Sequence, residues 1–139
     1  MKVALAIIAL LILLVAGEWG YRSFIRPIDP VPPIVLRLAE HFNQSGIIVE
    51  AKPVRHTYRH STITAAAYLD IKDFPLPIAV EVCASEKEAE SHLQAIRNSP
   101  NLPHSLRNGL LVMCLPTWTN DEPMAEKVRT VFAGFKQKT

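Results

Sequence analysis

Hydrophobic positions fall along the chain in three regimes. From Val3 to Gly17 the sequence reads VALAIIALLILLVAG, fifteen residues without a charge. From Arg26 to Pro33 it turns to proline, with four prolines in eight residues. Beyond Pro33 apolar residues recur at helical or strand spacing, the mark of a globular domain. The division this predicts is 1–25 as an N-terminal membrane anchor or signal sequence, 26–33 as a Pro-rich stalk, and 34–139 as an extracytoplasmic α+β domain.

Within the domain the spacing alternates between the two periods. A helix is expected from Pro33 to Ser45, with Ile34, Val35, Leu38 and Phe42 on one stripe and Gly46 ending it. A strand follows over Ile47–Val54, held to an edge or a strand end by Pro53. Arg55–Ser61 reads as a polar connection. Thr62–Ile71 alternates cleanly, with Ile63, Ala65, Ala67, Leu69 and Ile71 on one face. Lys72–Pro77 is a turn. Ile78–Cys83 is a third strand, with Ile78, Val80 and Val82 opposite Ala79, Glu81 and Cys83. Ser85 with Glu88 three residues on is a capping box, and the helix it opens runs to about Asn98 with Ala89, Leu93 and Ile96 inward. A polar loop leads to Gly109. Leu110–Leu115 is apolar on both faces, as a strand covered twice would be. Asn120 or Asp121 is expected to cap a last helix bearing Met124, Val128, Val131, Phe132 and Phe135. The order is α-β-β-β-α-β-α. After the N-terminal membrane helix, or signal sequence, the expected fold is a four-stranded mixed, mostly antiparallel sheet packed with three helices, in the α+β class.

The N-terminal segment has two readings. As an anchor, fifteen helical residues span about 22 Å, short of the ~30 Å bilayer core. Trp19, Tyr21, Phe24 and Ile25 extend it toward an interfacial belt, and Glu18 is its awkward residue. As a signal sequence it has Lys2, a long apolar region, and Val15-Ala16-Gly17 as a small-residue cleavage site. The first reading places residues 3–25 in membrane lipid. The chain is then a single-pass protein of a bacterial inner membrane with its C-terminal domain in the periplasm. The second gives a protein secreted after cleavage near Gly17. At roughly 3.1 Å per residue, a polyproline stalk of this length keeps the domain near the membrane surface.

Composition sharpens the functional picture mainly by exclusion. The chain is 49% hydrophobic with a net charge of +2, which rules out disorder. Residues 31–139 hold 12 basic and 11 acidic groups, so no basic excess marks a nucleic-acid binder. No catalytic signature, nucleotide-binding glycine pattern or cofactor motif is present.

Few residues remain as candidates for chemistry. Cys83 and Cys114 lie on expected strands and form a disulfide if the strands adjoin; otherwise they are buried thiols or, least simply, part of a Cys/His pair. His56 and His60 have metal-compatible spacing, but Arg55 and Arg59 beside them oppose a cation. No metal and no cofactor is therefore assigned. Arg55, His56, Tyr58, Arg59 and His60 read as a solvated hairpin tip or as a contact surface for an acidic partner or lipid headgroups. Trp118 either closes the core or serves as an exposed binding hot spot. His41, His92 and His104 read as solvated. The second sheet face, with Ala66, Tyr68, Ala79 and Cys83, is moderately apolar. It is either covered by a helix or left open to a partner.

These features point to a membrane-anchored accessory or assembly protein, an accessory subunit whose exported domain binds a protein of a membrane complex without catalysis. The alternatives are a periplasmic ligand- or metal-binding module and an enzyme of unrecognised class.

Overall fold

A computed structural model describes residues 2–24, 28–54 and 62–137 of the chain. Its first element is helix α1, Lys2–Phe24, on which Ile7, Ile8 and Leu10 to Val15 are all exposed. Among the described residues no helix is long and apolar enough to cross a membrane, which corrects the expected membrane-spanning helix. The sequence supplies the reason. Its uncharged run stops at fifteen residues, where a span needs about 20, and the next turns carry Glu18 and Arg22.

The domain follows as α2 (Pro33–Gln44), β1 (Val49–Pro53), β2 (Ile63–Ile71) and β3 (Ile78–Cys83). Then come α3 (Glu86–Arg97), β4 (Leu106–Asn108), β5 (Leu111–Cys114), a 3-10 helix at Thr117–Asp121, and α4 (Ala125–Gly134). Pro33 opens α2, where its missing N–H costs nothing, and Gly46 follows the helix at φ 82°. Ser85 caps α3. Its hydroxyl accepts from the Glu88 N–H at 3.2 Å and donates to the Glu88 carboxylate at 3.1 Å. Residues 28–33 do not stand free of the domain. Val31 packs on the main core, and Asp29–Pro33 line a groove of about 280 Å³ with Thr64, Ala65 and Ala66.

The sheet has five strands in the order β1-β2-β3-β5-β4, every pair antiparallel. This corrects the expected four-stranded mixed sheet. Leu106–Asn108, assigned to a loop, is a fifth strand. Its three residues are too short and too polar to show alternation. The helical crossover through α3 does connect two strands that run the same way, β3 and β4. They are not neighbours, because the Gly109–Leu110 turn sends β5 back between them. The result is a split β-α-β unit with no parallel pair.

Two layers of side chains cover the sheet. On one face, Val35, Leu38 and Phe42 of α2 and Val128 and Phe132 of α4 bury Leu69, Ile71, Val80, Leu111 and Met113. On the other, α3 places Ala89 and Leu93 over Cys83, Val112 and Cys114. That second layer is small and stops at β3. On this face of β1 and β2, Lys52 and Tyr68 stay exposed and Ala66 and Asp70 are half-buried.

A side-chain carboxamide meets the β1 edge of the sheet, and another braces the β4–β5 turn. The Lys72 N–H donates to the Ile48 carbonyl at 2.9 Å, which fixes the ladder alternation so that Val49, Ala51 and Pro53 turn their backbone groups outward. Asn43 takes the place of a neighbouring strand at Val49. Its Nδ2 donates to the Val49 carbonyl at 2.9 Å, and its Oδ1 accepts from the Val49 N–H at 3.0 Å. Pro53 has no N–H to offer. At the turn between β4 and β5 the Gln137 amide accepts from the Leu110 N–H at 3.2 Å and donates to the Asn108 carbonyl. Gly109 sits beneath it at φ 54°, and a Cβ there would stand 2.4 Å from Gln137 Oε1.

Two substitutions test these contacts. Gly109→Ala forces a left-handed residue, costing about 1–2 kcal/mol, and displaces Gln137; it is expected to lower the urea midpoint. Asn43→Ala leaves two edge groups of Val49 without their partner at about 1–2 kcal/mol, and is expected to raise self-association in size-exclusion chromatography.

Candidate functional site

Strand alternation turns Ala79, Glu81 and Cys83 of β3 toward α3. Glu81 lies in register between Ala66 of β2 and Val112 of β5, a carboxylate set among apolar neighbours. His92 of α3 comes down onto it, with Nε2 against Glu81 Oε2 in a short contact. The Cys114 thiol reaches the same oxygen and donates to it at 3.5 Å. The three side chains form the one constellation of cysteine, histidine and carboxylate seen among the described residues.

The order of contacts decides its chemistry. A nucleophilic cysteine needs a base or cation beside the sulfur to hold the thiolate. Here the sulfur bonds a carboxylate, and the imidazole bonds the same oxygen rather than the sulfur. Burial pushes the Cys114 thiol well above its ordinary range, and the charge and hydrogen bond of Glu81 push it further. Burial also raises the Cys83 thiol, with Glu81 and Glu88 adding to it. Both sulfurs are protonated donors at neutral pH. The cluster acts as a tether that ties α3 to the sheet, aided by Arg107, which bonds Glu90 at 2.9 Å.

Cys83 and Cys114 are free thiols. They share a face, but Cys114 stands opposite Ala79, while Cys83 donates its N–H to the Leu110 carbonyl. Four positions of ladder separate them, roughly 13 Å at ~3.3 Å per residue. A disulfide needs Cα atoms within about 7 Å. No group of three or more His, Cys, Asp or Glu that could hold a metal ion occurs among the described residues.

Other sequence candidates separate in space. Arg55, His56, Tyr58, Arg59 and His60 lie outside the described residues. Trp118, on the 3-10 helix, packs edge-on against Phe74 with ring centroids 5.7 Å apart and joins the rim of the main core. The open half of the second face is charged but internally matched. Lys52 pairs with Asp70 and, at 3.4 Å, with Glu50. The Asp70 hydrogen bond raises the Lys52 ammonium above its usual range.

Sequence reasoning missed a groove between α2 and the end of α4. It has a volume of about 440 Å³ and is lined by Arg37, Glu40, His41 and Gln44 of α2 with Gly134, Phe135 and Lys136. His41 is not simply solvated. Its Nε2 donates to the Val131 carbonyl at 3.0 Å, and its ring lies 5.6 Å from that of Phe135. Asn108 Nδ2 donates to the Phe132 and Phe135 carbonyls at 2.8 and 2.7 Å. Of the carbonyls that α4 leaves open at its end, those of Val131 and Phe132 are thereby occupied. Neither Arg37 nor Lys136 makes an ion pair among the described residues, and both are exposed. The signal was present in the sequence as His41 one residue before the last core position of α2, but nothing local revealed α4 as its partner.

No protein family, no curated protein and no solved structure matches this chain.

The thiol environment has a measurable consequence. The unfolded chain releases its thiol protons near the ordinary value of 9.0, while native Cys114 holds its proton far higher. Stability from this source is therefore complete below about pH 9 and falls as pH rises beyond it, by up to about 1.4 kcal/mol per pH unit for each such thiol. Urea midpoints measured from pH 8 to pH 10.5 are expected to fall more steeply for the native sequence than for Cys114→Ala. In native protein, iodoacetamide at pH 8 is expected to leave Cys114 unmodified, and to label it once urea is added.

Proposed function

We propose that this chain is an exported, non-catalytic accessory protein whose folded domain binds another protein. The α2–α4 groove carries the reading. It is an open, partly apolar concavity with the exposed cations Arg37 and Lys136 on its walls. The Cys114–Glu81–His92 cluster supports the non-catalytic part. Its sulfur is protonated, and both the sulfur and the imidazole bond one Glu81 oxygen rather than each other.

Export rests on the sequence. Lys2 precedes fifteen uncharged residues that end in Val15-Ala16-Gly17, a length and ending suited to a leader that is removed. The apolar helix engages lipid and the export machinery in transit, and the mature domain works outside the cytoplasm. Residues 28–33, packed against the domain, continue it toward the new N-terminus rather than holding it away.

Two measurements test this. Mass spectrometry of protein recovered outside the cytoplasm is expected to find Glu18 as the first residue; an intact Met1 on that material would sink the leader. Gentle extraction with a C-terminal affinity tag is expected to recover a second protein in fixed stoichiometry. Recovery of the chain as a lone monomer at every salt concentration overturns the partner-binding reading.

A further inference from the structure

We infer that the segment from Ser85 to Pro100, which is α3 with its flanking turns, is a lid that opens as one unit while the sheet, α2 and α4 stay folded. The two cores of the domain are separate. No α3 residue belongs to the main cluster, which α2 and α4 build on the opposite face of the sheet. Of the twelve residues of α3 only Ala89 and Leu93 are buried. They cover Cys83, Val112 and Cys114, with Ile96 and Leu102 at the margin. Lifting α3 uncovers one leucine, one alanine and the small residues beneath them, and leaves the main core whole. A segment that buries so little apolar area opens at a lower free energy than the core it lies beside.

Fixed points bound the segment on both sides. Before it, the Cys83 N–H donates to the Leu110 carbonyl at 2.8 Å and the Ala84 N–H to the Thr62 carbonyl at 3.0 Å. After it, the Thr117 N–H donates to the Asn101 carbonyl at 3.1 Å, and the Leu115 N–H to the Ser105 hydroxyl at 3.0 Å. None of these bonds involves α3, so the ladder and the approach to β4 hold when it lifts. What holds α3 down, besides Ala89 and Leu93, is polar. His92 bonds Glu81, Arg107 bonds Glu90 at 2.9 Å and reaches Glu86 at 3.8 Å, and Arg97 donates to the Ser105 carbonyl at 2.9 Å. Water replaces each of these partners on opening, so their net hold is modest.

The layer under the lid favours the same motion. Glu81 is a half-buried carboxylate set between Ala66 and Val112. Opening returns it to water, which offsets part of the cost of uncovering Leu93. Opening also joins two surfaces. In register across the sheet, Tyr68, Ala79 and Cys114 form one row, and Ala66, Glu81 and Val112 the next. Tyr68 is exposed with the lid closed. With the lid lifted, both rows are open from β2 to β5. The position of α3 thus sets how much apolar sheet the domain shows.

The test is thiol exchange on the full chain. The chain has two cysteines, Cys83 and Cys114, and both lie under the lid. A fast disulfide-exchange reagent is applied at pH 8 in urea below the unfolding midpoint, and peptide mass spectrometry reads each site. Both thiols are expected to react together, with a urea slope less than about half that of global unfolding followed by circular dichroism. Val128→Ala, in the main core, is expected to lower the urea midpoint yet change thiol reaction by less than about twofold, because Val128 stays packed when the lid is open. Leu93→Ala is expected to speed both thiols by at least about tenfold. Reaction with the full urea slope, or reaction that Val128→Ala speeds as much as it shifts global unfolding, overturns the inference. The thiols are then reached only by unfolding the whole domain. Reaction of one thiol without the other overturns it too, since α3 then does not move as a unit. The slope and the Val128→Ala comparison are read with Leu93 in place, so they decide the matter even where Leu93→Ala does not fold.

Discussion

A strand buried on both faces has no water for its backbone and no solvent side for its side chains. Every polar group it carries must be met by a neighbouring strand, and both of its faces must be met by packed layers. Leu111–Cys114 is such a strand: all four residues are buried. Leu111 and Met113 join the layer beneath α2 and α4, and Val112 and Cys114 join the layer beneath α3. It is flanked by β3 on one side and β4 on the other. The short β4 exists to supply the second flank. The Gly109–Leu110 turn exists to bring β5 back beside it. Ser105, wholly buried, fixes the approach, since its hydroxyl accepts from the Leu115 N–H at 3.0 Å and donates to the Leu102 carbonyl at 2.9 Å.

The same requirement explains the unequal layers. Three aliphatic strands facing α2 and α4 make a deep core, whereas the α3 side has alanine, cysteine and valine beneath it. Small residues bring the helix close but bury little area. The deficit is made up by polar tethers: His92 to Glu81, Arg107 to Glu90, and Arg97, whose Nε donates to the Ser105 carbonyl at 2.9 Å. Glu81 is thus a structural carboxylate. Its position among apolar neighbours, which on paper resembles a reactive site, reflects the thinness of the layer above it.

Much of the fold was legible because its elements announce themselves locally. The α2 stripe, the alternation of β2 and β3, and the Ser85 cap all rest on residues within a few positions of one another, and each appears where expected. What was not legible depends on distant parts. Three residues of β4 carry no period, and their pairing is dictated by the needs of β5. The last helix starts at Ala125 rather than near Asn120, because Pro123 holds Glu122 extended at φ −86° and ψ 123°, and Thr117–Asp121 closes into a separate 3-10 turn. The site was less legible than the fold. Glu81 and His92 are eleven residues apart and meet only when α3 folds over β3, while His41 finds its acceptor ninety residues away. The candidate residues from Arg55 to His60 drew notice by the spacing of two histidines and by their basic composition, and lie outside the described residues.

Two carboxamides, one at the β1 edge and one at the β4–β5 turn, give the protein a chemical lifetime as well as a shape. Asn43 stands in for a strand and Gln137 braces a turn, because each carries a donor and an acceptor on one planar group. Hydrolysis of either amide to an acid keeps the acceptor, removes the donor, and sets a negative charge against a backbone carbonyl. A molecule whose β1 edge is closed by Asn43 when newly made therefore opens that edge on deamidation, a reaction of the covalent chain rather than of the fold.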